Sequence, residues 1–199
     1  MKIVLVGAGG DIGQAALAGL TDRHDIITVG RTSGDYQLDI SDLERVKDLY
    51  REIGAFDAMV SCAGDATFAT LGEFTQDSFM LGLTHKVMGQ VNLVLAGLDM
   101  IADGGSFTLT SGILDRDPIR MGANAATANA ALAGFVKSAA LEMPRGTRIN
   151  VVSPGLIDIS EEKYGAWFPG HKPVNTDDVA RAYVKAVEGA LTGQVITVD

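Results

Sequence analysis

The chain has 199 residues, 47% of them hydrophobic, and a formal net charge of −9 at pH 7. That is the length of one domain, residues 1–199, with enough apolar content for a full core, and it speaks against extensive disorder. The acidic balance argues against a general nucleic-acid surface, while leaving room for a local basic pocket.

Cys62 is the only cysteine, so no disulfide framework or cysteine metal cluster is expected. His24, His85 and His171 are scattered without metal-ligand spacing. No apolar run reaches the length of a membrane span, and Met1–Gly7 is too short for a signal segment. A cytoplasmic protein without a membrane partner is expected.

Ile3–Val6 is an apolar run without polar alternation, as in a central strand of a parallel sheet. It ends at Gly7, and Gly9, Gly10 and Gly13 precede an Ala/Leu-rich helical pattern. Such a turn lets the backbone approach a phosphate closely and offers it the positive end of a helix. The motif departs from the simple dinucleotide fingerprint, because Ile12 occupies its third glycine position. Asp11 and Gln14 stand in capping-box spacing, which predicts that Asp11 caps a first helix running to about Leu20. At about 6 Å and an effective dielectric near 20, this carboxylate would repel a phosphate charge by about 3 kcal/mol. Asp11 is therefore expected to turn towards the helix N–H groups.

Asp25–Gly30 reads as the second strand, followed by Arg31-Thr32-Ser33. A strand-end arginine with two hydroxyls suits the 2′-phosphate of NADP better than NAD; a solvated loop arginine is the plain alternative. Gln37–Asp42 gives a short extended piece, with Ser41 or Asp42 capping a helix to about Ile53. Phe56–Ser61 is the third buried strand, running into Cys62-Ala63-Gly64, which either leaves room for a ribose or simply exits the sheet. Met80–Met100 reads as a long helix and Gly105–Ser111 as a strand ending in two hydroxyls. Gly122–Met143 is an Ala-rich helix stopped by Pro144. Thr147–Ser153 is another strand, and Pro154-Gly155 turns the chain. Asp158–Val174, with Tyr164, Trp167 and Phe168, reads as a lid or packed loop. Thr176 is expected to cap a final helix to about Leu191, before a last strand at Gln194–Val198.

In this order the pieces resemble the short-chain dehydrogenase/reductase family over nearly the whole chain. Gly7-Ala8-Gly9-Gly10-Asp11-Ile12-Gly13 is similar to the family's glycine-rich turn. Asp39-Ile40 resembles its acid–aliphatic adenine pair, and Cys62-Ala63-Gly64 its Asn-Ala-Gly segment. Thr110-Ser111 resembles the strand end that carries the catalytic serine. Arg148–Gly155 resembles the family's Arg-Val-Asn-x-Val-x-Pro-Gly segment, which places Pro154 and Gly155 on the nicotinamide side. The resemblance implies a Rossmann-type, doubly wound α/β fold with a parallel sheet of about seven strands and helices on both faces. It also implies an NAD(P) cofactor, a small carbonyl or alcohol substrate, and a homodimer or homotetramer built on Met80–Met100 and Gly122–Met143.

The catalytic set departs from the family's. Aligning Asn129–Leu132 with its Lys-x-Ala-Leu segment puts Ala125 at the tyrosine position and Asn129 at the lysine position. The family's asparagine, three residues before a helix glycine, is replaced by Lys86 before Gly89. Ser111 alone remains. General acid–base catalysis is worth about 10²–10⁴-fold, so the usual hydride-transfer route should be crippled. Lys86 is the candidate substitute donor, since a partly desolvated lysine can titrate in a useful range. Its plain alternative is a stem packed on apolar surface with the amine in water. His85 lies about 100° away around a helix, so one of the two at most is expected to face the pocket. Tyr164 or His171 could reach in from the lid, and Cys62 reads as a small core residue rather than a nucleophile. Two functions follow: an NADP-linked oxidoreductase using Lys86 and Ser111, or an inactive NADP(H)-binding sensor or interaction protein.

Overall fold

Alternate side chains of the first strand feed two separate cores. In the computed structural model, which describes residues 1–199, Val4 and Val6 enter one core and Ile3 and Leu5 the other. That period of two is what a strand covered on both faces requires. The strands are β1 (Lys2–Val6), β2 (Asp25–Gly30), β3 (Tyr36–Gln37), β4 (Phe56–Ser61), β5 (Ile101–Thr110), β6 (Arg148–Pro154) and β7 (Val195–Val198). The helices are α1 (Asp11–Leu20), α2 (Leu43–Ile53), α3 (Gln76–Gly82), α4 (Gly89–Gly97), α5 (Ala123–Ala139), α6 (Glu161–Tyr164) and α7 (Thr176–Glu188).

All pairings are parallel, in the order β3-β2-β1-β4-β5-β6-β7. Val46, Leu49, Leu93, Leu132 and Val136 bring α2, α4 and α5 onto one face. Ala15, Ala16, Leu20, Val179, Tyr183 and Val187 bring α1 and α7 onto the other. This is the expected Rossmann-type, doubly wound fold. Each fully buried Val or Leu contributes about 1.5–3 kcal/mol, so burial against the sheet stabilises helices too short to stand alone in water. From β1 the chain winds outwards through β2 and β3, then crosses to β4 on the other side. Loops at the ends of β1 and β4 therefore diverge and leave a crevice between them.

Local chemistry explains where the boundaries moved. Asp42 caps α2 as expected, its Oδ1 accepting from the Glu44 and Arg45 N–H groups. Asp11 does not cap α1. Gly10 is the cap residue, and the Asp11 carboxylate instead accepts from Ser160 Oγ at 2.5 Å. Thr176 is likewise displaced as a cap by Asn175, whose side chain accepts from Asp177 N. β5 begins at Ile101 rather than Gly105, beside a register shift between Phe56 and Ala58 on β4.

The largest departure lies in Met80–Met100. The helix starts at Gln76, behind a Thr75/Ser78 capping box, and widens into a π-helical segment at Leu83–Met88 before α4 resumes. Leu83 N–H goes to Met80 O, so Phe79 O lacks its usual helical donor and takes Asn124 Nδ2 from α5 at 2.6 Å instead. Gly82 makes this possible, because a Cβ there would stand 1.8 Å from Asn124 Oδ1.

Candidate active site

A cavity of about 380 Å³ opens over the C-terminal ends of β1, β2 and β4. Gly7, Gly9 and Gly10 line it from the turn after β1, and Arg31, Thr32 and Ser33 from the end of β2. Asp39 and Ile40 line it beyond β3, and Cys62, Ala63 and Gly64 beyond β4. Four separate stretches of sequence are thus brought to one crevice. The other predicted residues stand behind or beside it. A Cβ on Gly13 would lie 2.0 Å from Gly7 O, so this glycine lets α1 close on the turn. Ile12 packs on the α1/α7 core, and Asp11 turns to the lid. Pro154 ends β6, and Gly155 approaches Val174 and Val198 at the base of the lid.

The crevice fits a dinucleotide. Carbon atoms built on Gly9 and Gly10 would meet nothing closer than Ser33 Oγ at 3.4 Å and Gly7 O at 3.8 Å. Side chains there would fill the cleft itself, and their absence leaves a bare backbone cradle at the start of α1. Asp39 accepts from Ser41 N and Oγ, which hold its carboxyl below the usual range, helped by the charges of His85 and Arg31. Asn92 Nδ2 bonds to Ile40 O and Ser41 O and ties this wall to α4. Arg31 Nη2 pairs with Asp65 Oδ2 at 3.2 Å across well-exposed side chains. No three His, Cys, Asp or Glu side chains are placed to hold a metal ion.

Lys86 and Ser111 come together. Both belong to segments that converge beyond the end of β5, and Lys86 Nζ donates a long hydrogen bond of 3.4 Å to Ser111 O. The lysine stem passes over Gly64, where a Cβ would stand 2.8 Å from Lys86 Cγ. Burial pushes the amine down to about 8, against the opposing pull of the Asp115 and Asp65 carboxylates. The part-buried amine is directed by its bond to the Ser111 carbonyl. His85, its neighbour, lines the dinucleotide cavity. Of the two neighbours only His85 is among the residues that line this cavity, while Lys86 turns to the exit of β5.

Gln90 pins the exit of β5 by donating to Thr110 O and accepting from Thr110 N. Ser111 is 4% exposed and its Oγ has no partner. Asn129 donates through Nδ2 to Gly112 O at 3.1 Å, while its buried Oδ1 also has no partner. An unsatisfied buried polar atom costs about 1–3 kcal/mol, so these two at one strand exit call for a partner. Ala125, buried on α5, offers no proton. Burial pushes the Cys62 thiol up to about 12, and Tyr183 and Thr110 hydroxyls contact it, so this residue between the core and the cavity has no thiolate character.

The lid crosses from the glycine turn to the loop after β4. Ser160 bonds Asp11, and Trp167 meets Phe68 edge-on with ring centroids 6.1 Å apart. Tyr164 packs under the Lys163 amine, and His171 faces Asp117 and Phe168. Neither bonds Ser111 or Lys86, so neither supplies the missing proton donor in this arrangement. Asn124 and Gln90 escaped the sequence reading. A polar residue among the small residues of a buried helix face was the available signal for Asn124.

Residues 14–199 match a short-chain dehydrogenase family model described as enoyl-(acyl carrier protein) reductase. The chain belongs to the short-chain dehydrogenase/reductase family. It is 47% identical to the protein lin1944 from Listeria innocua, with complete coverage of both chains and a TM-score of 0.98. A small-chain dehydrogenase solved in complex with NADPH is 29% identical, with 100% of this chain and 96% of that one covered at a TM-score of 0.86. Among curated proteins, the cyclic-di-GMP-binding biofilm dispersal mediator protein of Escherichia coli is 30% identical over 122 residues, 60% of this chain. That match spans about half of the curated relative, 52% of its length.

Proposed function

We propose that this protein is an NADP(H)-dependent oxidoreductase acting on a small carbonyl or alcohol, with Lys86 replacing the missing tyrosine. The observation that carries the reading is the part-buried Lys86 amine at Ser111, beside a crevice with a glycine cradle. The cofactor would lie on Gly7, Gly9 and Gly10, with Arg31, Thr32 and Ser33 at its 2′-phosphate and Asp39 and Ile40 beside the adenine. NADPH, when bound, supplies the hydride for a carbonyl carbon. Ser111 Oγ, buried and free to donate, holds the carbonyl oxygen. The Lys86 ammonium gives that oxygen a proton as negative charge develops, and the neutral amine then recovers one from solvent.

The sign of the pH dependence follows. Reduction needs the charged amine, so its rate should fall as pH rises through about 8, and alcohol oxidation should rise over the same range. Lys86→Met should lower turnover at least about 100-fold while NADPH still binds, as read by fluorescence titration and initial rates. Unchanged turnover in that variant would remove the assignment.

Ala125 favours a second reading, in which the protein binds NADP(H) and signals by its occupancy without turnover. Tight NADPH binding with no oxidation across a broad carbonyl panel would select it.

A further inference from the structure

The strand exit Ser111–Gly112 is gripped from two sides. Lys86, on the π segment, donates to Ser111 O at 3.4 Å, and Asn129, on α5, donates to Gly112 O at 3.1 Å. Asn129 is 2% exposed, and its Oδ1 receives no hydrogen bond. An ammonium carries three N–H donors, and Lys86 spends one of them on a long bond. Surplus donors and a buried acceptor in want of one thus adjoin the same two residues. The charged groups facing the amine are Asp115 beyond β5 and Asp65 beyond β4. His85, on the same segment, looks into the cavity near Asp39, and α5 presents the amide of Asn129 rather than a charge.

We propose that Asn129 is a positioning residue for Lys86, its Oδ1 accepting from the charged amine through one bridging water. The amide does so with its other end anchored on Gly112 O, which fixes its orientation. A hydrogen bond to the charged form favours that form, so Asn129 keeps the amine from losing its proton too early. This rests on the reading of Lys86 as the proton donor.

The test labels the amine directly. Wild type, Asn129→Leu and Asn129→Asp are reacted with an acylating reagent between pH 6 and 10, and Lys86 modification is followed by peptide mass spectrometry. Melting curves for each variant establish that it is folded. Removing the acceptor should lower the apparent pKa by half a unit or more, so that Lys86 in Asn129→Leu labels about threefold faster at pH 7. A carboxylate in its place should raise the pKa and slow labelling by a similar factor. A role confined to holding α5 on the strand would move both variants the same way. Equal labelling, or shifts of one sign, would overturn the proposal. The reading needs neither cofactor nor turnover. Should Lys86→Met keep full activity while the labelling shifts appear, the assignment of Lys86 as proton donor fails and only the contact between Asn129 and Lys86 stands.

Discussion

Arg31 stands at the mouth of the crevice with Thr32 and Ser33 beside it and Asp65 opposite. Both members of that ion pair are well exposed, and such pairs contribute at most about 1 kcal/mol. A phosphate would draw the guanidinium away with little resistance, because a charge-assisted bidentate contact is stronger than an exposed pair. Arg31→Ala should therefore weaken NADPH binding about tenfold and leave NADH binding within about twofold, measured by fluorescence titration. Equal losses for the two nucleotides would show that Arg31 does not read the 2′-phosphate. At this scale the sequence was legible where backbone decides, as at Gly7, Gly9 and Gly10. It was less legible where a side chain chooses among partners. Asp11 had the spacing of a cap, and Ser160, 149 residues away, took its carboxylate.

Among the elements, the π segment at Leu83–Met88 has most effect on the site. Widened turns of this kind occur often at functional positions, because they re-aim side chains that a regular helix would point elsewhere. Here the widening is held by Asn124, which gives Nδ2 to Phe79 O and accepts the Thr67 N–H at 3.0 Å. Asn124→Ala strips both groups of their partner. Each unsatisfied group costs about 1–3 kcal/mol, so a loss of about 2–6 kcal/mol is expected in urea unfolding. A loss below about 0.5 kcal/mol would mean that the segment holds its shape without the amide. Nothing in the run Leu83–Met88 signals the widening, since its residues suit an ordinary helix. The cause lies on α5, in an asparagine that fits only because Gly82 has no side chain.

At the scale of the whole molecule, one side of the helix layer remains uncovered. Leu81 on α3, Met88 on the π segment and Leu95 on α4 have exposures of 52%, 46% and 50%. Half-exposed large apolar side chains on these helices suit contact with a second copy, as the family resemblance implies. Sedimentation should give a homodimer or homotetramer. Leu95→Arg should shift it towards monomer with the circular dichroism spectrum kept, whereas a wild-type monomer at micromolar concentration would sink the assembly.

The sequence by itself determined the order and type of the elements, and with them the doubly wound sheet. Buried parallel strands must be short apolar runs, and sharp turns beside a ligand must be glycine, so both leave a local trace. Hence Asp25–Gly30 and Phe56–Ser61 emerge with the bounds read from the chain. Only the tertiary structure decided what the altered catalytic set amounts to. It brought Lys86 to Ser111 and Asn129 to Gly112, and sent Tyr164 and His171 to other partners. Those outcomes depend on burial and on contacts between residues far apart in sequence. A side chain's direction and charge are set by what packs against it, and that information is absent from its own neighbourhood in the chain.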